Sequence, residues 1–224
     1  MAYDRQESGP QSLVVDVGGT HVKFEHSGSQ ERREFESGKS LSAATMVAEV
    51  LRMTTDWDYD VVTIGVPAPV VHGKLLHDPH NLGSGWVGFD FGSAFGKPTK
   101  LINDAAMQAL GGYRGGKMLF LGLGTGLGSA MIVDGIVEPM ELAHLPYKKG
   151  KTFEYYVGIR GLKRLGKKKW RMAVADVVNT LRDALEADYV LIGGGNARLL
   201  KQLPENTETA PNDNAFLGGF RCWK

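Results

Sequence analysis

Three short runs carry the residue types that could do chemistry. LVVDVGGT spans Leu13 to Thr20, LFLGLGTGLGSA spans Leu119 to Ala130, and LIND, Leu101 to Asp104, lies between them. Each glycine run follows an apolar, β-rich stretch. A glycine turn after a strand can expose backbone N–H groups with no side chain in the way, which suits phosphate oxygens. Two such loops could hold a phosphate chain from two sides. A carboxylate between them could accept a proton from an attacking hydroxyl. The chemistry this pattern implies is phosphoryl transfer to an alcohol.

Short apolar segments bounded by Gly, Pro or Asp must position these runs. Strand signals fall at Leu13–Val17, Val61–Val66, Lys100–Ile102, Met118–Gly122, Ala130–Val133 and Tyr189–Ile192. Helical spacing appears over Ser42–Met53, through Met46, Val47, Val50 and Leu51. It recurs over Met172–Leu185, through Val174, Val177, Val178, Leu181 and Leu185. Ala105–Leu110 can open another helix. Alternating strands and helices indicate an α/β protein. A strand and glycine turn occur at both loops, and a third glycine run stands in LIGGGNA, Leu191–Ala197. This coarse duplication suggests two α/β halves facing each other over a cleft, with a hinge near Leu101–Ala106. Residues 1–11 read as a frayed tail. Val70 to Gly96 reads as irregular loop of the kind that often lines a site.

Composition narrows the classes. The chain has 224 residues, with 42% hydrophobic and 23% charged, which fits a soluble globular protein with a substantial core. Its apolar runs are strand-sized, far short of the roughly 20 residues that span a bilayer. MAYDRQESGP at the N-terminus has no apolar core of a secretory signal. One cysteine, Cys222, excludes an internal disulfide and a multi-cysteine zinc site. Together these features lead to the expectation of a cytoplasmic protein. Net charge is only +1, yet Lys148 to Arg171 holds ten Lys or Arg and one acid, Glu154. Such an excess suits a polyanionic partner, or simply solvates a helix face.

LVVDVGGTHVKF, IGVPAPV, LINDA, LGLGTGLGSA, ELAH and LIGGGNA occur in an order that resembles the ROK family of sugar kinases and repressors. The resemblance extends over about Leu13 to Arg221. PYKKGKTFEYYVGIRGLKRLGKKKW and the GTGxGSA form of the second loop are similar to bacterial polyphosphate glucokinases within that family. The resemblance implies an actin-like (hexokinase/ribonuclease H-like) ATPase fold of two α/β domains around a cleft. The boundaries it suggests are 1–104 for a small domain and 105–224 for the second, with the last helix able to return to the first. It implies a kinase transferring phosphate from polyphosphate, ATP or both to the 6-hydroxyl of glucose, with Mg²⁺ and without zinc. A homodimer is implied too, with no nucleic-acid or membrane partner.

Residue roles follow from the same resemblance. Asp16, Gly18, Gly19 and Thr20 would form the first phosphate loop, with Asp16 facing Mg²⁺ through water. Gly124, Thr125 and Gly126 would form the second. Asn103 and Asp104 would bind sugar hydroxyls, Asp104 being the general base. Glu141, His144 and Glu154 would complete the sugar site, and Gly193, Gly194 and Gly195 match a run near adenosine in ATP-using relatives. Apart from the resemblance, the charge run itself suggests that Lys167, Lys168 and Lys169 could offer a surface to polyphosphate. Two departures stand out. The usual ExGH is Glu141-Leu142-Ala143-His144, which puts a methyl near the expected sugar site, and the zinc-binding cysteines of many relatives are missing.

Plainer readings compete. Asp16 could cap a turn, Asp104 could cap a helix, and Glu141 with His144 could be a surface pair at helical spacing. His77 and His80 have metal-like spacing without a third ligand nearby. Asn81 and Trp86 sit where relatives approach the sugar, but Trp86 could equally be core. At the level of function, the alternatives are a strictly ATP-dependent hexokinase and a non-catalytic sugar sensor. The sensor's repressor form needs a DNA-reading module for which the segment before Leu13 is too short.

Overall fold

The computed structural model describes residues 9–29, 31–211 and 213–224. Most of the expected frayed tail, residues 1–8, lies outside the described residues. Its end is held: the Gln11 N–H donates to Asp60 at 2.9 Å, and the Asp60 N–H donates back to the Gln11 carbonyl at 2.7 Å.

The chain divides into two compact units. One comprises the described residues up to Ile102 together with Gly219–Lys224; the other is Asn103–Gly218. The division falls two residues before the boundary suggested by the sequence, and the chain's last six residues join the first unit.

In the first unit, β1 (Ser12–Val17) pairs antiparallel with β2 (His21–His26), which pairs antiparallel with β3 (Arg32–Glu36). On its other side β1 pairs parallel with β4 (Val61–Val66). A short hairpin, β5 (Val70–Val71) and β6 (Lys74–Leu75), follows, and β7 (Thr99–Asn103) completes the five-stranded order β3-β2-β1-β4-β7. β1 and β4 are near-continuous apolar runs because they are covered on both faces. β2 alternates Val22 and Phe24 with polar or charged residues, and β3 has Phe35 as its one apolar residue, so both carry weaker strand signals and neither was expected from the sequence. Between β3 and β4, α1 (Ala43–Met53) starts where the Ser42 hydroxyl accepts from the Thr45 N–H, and buries Met46, Val47 and Val50. Each such side chain contributes about 1.5–3 kcal/mol on leaving water.

The 70–96 segment is more ordered than its composition suggested. Besides β5 and β6 it forms α2 (Phe91–Phe95). The Asp78 carboxylate accepts from the N–H groups of Gly85, Trp86 and Val87 at 3.2, 2.8 and 3.0 Å. The Trp86 ring is buried in the first core, its Nε1–H donating to the Leu41 carbonyl. Trp86 is therefore a core residue.

The second unit begins with α3 (Asp104–Gly112), then β8 (Lys117–Leu123), β9 (Leu127–Val133) and β10 (Ile136–Met140), a continuous antiparallel meander. α4 (Phe153–Val157) and α5 (Ile159–Leu185) precede β11 (Tyr189–Gly193), which lies parallel to β8. β12 (Thr207–Thr209) follows on the edge, giving the order β10-β9-β8-β11-β12. The two sheets thus repeat one plan: three meandering strands, then two more on the far side of the first. The glycine runs at Gly18 and Gly124 occupy the same place in that plan, the first hairpin turn.

α5 is longer than the stripe read from the sequence and breaks at Gly166, whose φ of 73° leaves the helical region. Beyond the break Trp170, Val174, Val177, Val178 and Leu181 bury one face against the second core. α6 (Asn214–Arg221) ends the chain. α3 meets the start of α6 backbone to backbone: a methyl on Gly111 would overlap the Asn214 carbonyl. Gly111→Ala should therefore force these helices apart and cost at least ~2 kcal/mol, read as a lowered Tm in thermal unfolding. An unchanged Tm would mean that the close approach is absent.

Candidate functional site

The first glycine turn joins β1 to β2. The Gly18 N–H donates to the His21 carbonyl at 2.9 Å and closes the turn. Ser37, just past β3, reaches across: its hydroxyl donates to the Gly18 carbonyl at 2.6 Å, and its N–H donates to the Thr20 carbonyl at 2.9 Å. The N–H groups of Gly19 and Thr20 donate to no acceptor among the described residues, and both residues are exposed. The Gly18 and Thr20 carbonyls are thus occupied from outside the turn, while the Gly19 and Thr20 N–H groups stay open.

Asp16 lies two residues before the turn, opposite Lys23 on β2. Its half-buried carboxylate accepts no hydrogen bond among the described residues. Burial pushes its pKa up to about 6, against the opposing pull of Lys23 and Arg32. Accepting no hydrogen bond, this carboxylate does not cap the turn, and a half-buried carboxylate in that state is a candidate functional group. Asn81 borders this turn, its Cβ 3.5 Å from where a Gly19 methyl would stand. The rings of His77 and His80 lie 5.5 Å apart. Among the described residues, no three His, Cys, Asp or Glu side chains cluster as metal ligands.

The second turn, Gly124-Thr125-Gly126, joins β8 to β9 and follows the same rule. The Leu123 carbonyl accepts from the Asn196 N–H, and the Gly124 carbonyl from the Asn196 side-chain amide, both at 3.0 Å. The Thr125 carbonyl accepts from the Ile159 N–H at the start of α5, and the Gly126 carbonyl from the Gly124 N–H. Thr125 and Gly126 N–H groups have no acceptor among the described residues.

The third glycine run supports this turn. Gly194 has φ +83°, and a methyl there would stand 2.5 Å from the Leu123 carbonyl oxygen, so only glycine allows the approach. Gly193 is buried, Gly194 half-buried and Gly195 exposed.

Glu154, expected at the sugar, accepts from the Leu127 N–H at 3.2 Å and lies against Gly126. One of its oxygens braces the second turn. Its N–H donates to the Ala143 carbonyl, tying α4 to the segment that carries Glu141 and His144. Ser129, buried on β9, holds the other end: its hydroxyl donates to the Met140 carbonyl and accepts from the Leu142 N–H. Glu141 and His144 are 3.7 Å apart, with 61% and 70% of their side chains exposed. The Ala143 methyl lies in the second core with Phe153 and Val157, so its extra carbon serves packing.

Asn103 is the N-cap of α3, accepting from the N–H groups of Ala105 and Ala106 at 3.0 and 3.2 Å. Asp104 is therefore the first helical residue, not the cap. One of its oxygens accepts from the Ala105 N–H at 2.8 Å, at the helix end that favours negative charge. A methyl on Gly128 would stand 3.1 Å from the Ala105 Cβ, which places this helix start against β9 just past the second turn.

The second unit thus assembles Asn103, Asp104, the second turn, Glu154, the Glu141–His144 segment and the third glycine run. Asp16, Gly18, Gly19 and Thr20 belong to the first unit. The basic stretch is only partly available. Lys148 pairs with Asp176 at 2.6 Å, Arg164 donates to the Tyr155 carbonyl, and Arg171 donates to the Leu199 carbonyl. Lys167, Lys168 and Lys169, just after the Gly166 break, are exposed, and their side chains make no hydrogen bond or ion pair among the described residues. Ser37, Ser129 and Asn196 escaped the sequence reading. Asn196 follows its glycines directly, a turn signal that could have marked it; Ser37 and Ser129 carry no such mark.

No family model matches the chain, and no curated protein does. Solved structures do. The fold is the actin-like ATPase fold found in ROK-family sugar kinases. An inorganic polyphosphate/ATP-glucomannokinase from Arthrobacter sp. strain KM superposes with a TM-score of 0.77 at 22% identity, over 94% of this chain and 97% of that one. A ROK family glucokinase from Streptomyces griseus, solved with glucose and AMPPNP, gives 0.72 at 15% identity, over 95% and 98%. A ROK family transcriptional regulator, a homolog of the E. coli MLC protein, gives 0.68 at 15% identity, covering 94% of this chain and 76% of that one. At these identities the likeness is one of fold. No helix among the described residues is long and apolar enough to cross a membrane.

A raised carboxylate pKa makes Asp16 a cost to stability. Below about pH 4 it is protonated folded and unfolded alike; as pH rises through about 6 the folded chain must carry a charge that burial disfavours. Asp16→Asn should therefore stabilise the protein at pH 8 by ~1–3 kcal/mol, the gain vanishing near pH 4. Denaturant titrations at both pH values check this; a gain independent of pH would contradict it.

Proposed function

We propose that this protein is a sugar kinase that moves the terminal phosphoryl group of polyphosphate, ATP or both onto the 6-hydroxyl of glucose. The observation that carries this reading is the pair of equivalent hairpin turns in which five of six carbonyls, those of Gly18, Thr20, Gly124, Thr125 and Gly126, are capped by the protein while the N–H groups of Gly19, Thr20, Thr125 and Gly126 are open. Open backbone N–H groups of this kind accept anions. The fold likeness to glucokinases and a glucomannokinase supports the same class.

Asp104 accepts the proton of the sugar hydroxyl as its oxygen attacks the terminal phosphorus. The bond from that phosphorus to the bridging oxygen breaks, and the shortened phosphate chain leaves. Gly19, Thr20, Thr125 and Gly126 N–H groups take the phosphate oxygens, and Asn103, Glu141 and His144 take sugar hydroxyls. Asp16 fits Mg²⁺ held by one carboxylate, water and donor phosphates, the usual arrangement for that ion. Mg²⁺ would neutralise charge developing on those phosphates. Zinc has no role in this scheme.

The free lysines Lys167, Lys168 and Lys169 favour polyphosphate as a donor. Polyphosphate has the charge density of a nucleic-acid backbone, so its binding releases counterions and weakens steeply with salt. KM for polyphosphate should rise with salt more than KM for ATP. Changing the three lysines to Ala should weaken polyphosphate use and spare glucose affinity. Equal salt slopes, or unaltered polyphosphate kinetics in the triple variant, would leave ATP as the donor. A coupled assay for glucose 6-phosphate, run in parallel with the two donors, reads all of this.

In the same assay Asp104→Asn should keep glucose affinity and lose at least ~10²-fold in kcat, since an amide cannot take the proton. Near-normal turnover in that variant would remove Asp104 from the role of base. Glucose binding without turnover on either donor would favour the sugar sensor instead.

A further inference from the structure

The third glycine run raises a question of its own. Its resemblance-based role lies near a nucleotide, yet the Asn196 that ends it reaches to the second turn and to Leu123 just before that turn. The Asn196 N–H meets the Leu123 carbonyl and the Asn196 side-chain Nδ2 meets the Gly124 carbonyl, each at 3.0 Å. Gly194 lets the two backbones touch at Leu123. Behind Asn196 the chain is fixed: Ala197 is buried in the second core, and its N–H donates to the Gly194 carbonyl at 3.0 Å.

We infer that Asn196 is a positioning residue for the phosphoryl donor, its side-chain amide clamping the Gly124 carbonyl so that the second turn presents only N–H groups. The inference rests on the donor role given above to this turn. The physical reason is the two-way freedom of a Gly-Thr-Gly peptide chain. A glycine-flanked peptide plane can rotate, and a rotated Gly124–Thr125 plane would point its carbonyl where its N–H now points. A carbonyl oxygen there repels phosphate. Holding that oxygen by a donor from a packed segment keeps the plane in the anion-binding sense. The clamp acts on the shared phosphate end, so it serves polyphosphate and ATP alike. That gives a chain using polyphosphate a reason to retain the run.

Two variants separate donation from space-filling. Asn196→Asp keeps the size but sets a carboxylate oxygen against the Gly124 carbonyl. Asn196→Ala removes the group and lets water approach. Both keep the backbone bond to Leu123. Calorimetry with Mg²⁺-tripolyphosphate as the probe, and separately with glucose, reads the two ends of the site. We expect Asn196→Asp to weaken tripolyphosphate by ~10-fold or more, the scale of one lost charge-facing hydrogen bond. Asn196→Ala should weaken it less, and glucose binding should stay unchanged in both. KM for both donors should rise together. Tripolyphosphate affinity of the Asp variant equal to that of the unaltered protein would overturn the clamp, as would a parallel loss of glucose binding, which marks general disruption. If the unaltered protein binds neither tripolyphosphate nor ATP, the kinase reading fails. The clamp is then judged by a crystal structure of Asn196→Asp, where a displaced Gly124 carbonyl upholds it and an unmoved one overturns it.

Discussion

Every peptide brings one donor and one acceptor, and a turn that is to hold anions must dispose of its acceptors. This accounting governs the design. A glycine turn left to itself shows phosphate as many carbonyls as N–H groups. Here most of the acceptors are taken up, those of Gly18 and Thr20 by Ser37 in one unit, and in the other those of Gly124 and Thr125 by Asn196 and the Ile159 N–H and that of Gly126 by the Gly124 N–H. What remains open is mostly donors, the N–H groups of Gly19, Thr20, Thr125 and Gly126. The sheets and helices around each turn are the means of bringing those few groups to the right carbonyls.

The same requirement explains why the second unit is so heavily braced around three exposed or half-exposed residues. β11 runs parallel to β8 and ends beside it, which delivers Gly194 and Asn196 to Leu123 and Gly124. α4 delivers Glu154 to Leu127, and the start of α5 delivers Ile159 to Thr125. The second core, from Leu119 to Trp170 and Val178, fixes all of these elements at once. A carboxylate such as Glu154 can thus look like a ligand residue and also serve as a strut. Asp16 is the reverse case, a carboxylate given no partner and kept at a cost in stability, which is how functional charges often stand in a fold.

The basic stretch divides by the same kind of accounting. Lys148 and Arg164 lie over the rings of Tyr147 and Tyr155 as well as meeting polar partners. They hold the segment before α5 in place. The lysines after the Gly166 break hold nothing, so their charge is available to solvent or to an anion.

The sequence by itself determined the α/β class, the two glycine turns after strands, and the carboxylates beside them. Strand and helix periodicity report burial, and glycines at turns report backbone that side chains would obstruct, so both signals are local. Val61–Val66 was legible to the residue, and α1 to within its cap. Edge strands such as β3 and the 27-residue span of α5 were less so, because charged edges and a broken helix blur the period. What only tertiary structure decided is pairing across distance. That Asn103 rather than Asp104 caps α3, that the Ala143 methyl and Trp86 belong to cores, and that Ser37 and Asn196 close the turns depends on contacts between parts of the chain brought together by folding. A serine or asparagine donates to whichever carbonyl the packed core sets before it, and no local pattern records which one that is.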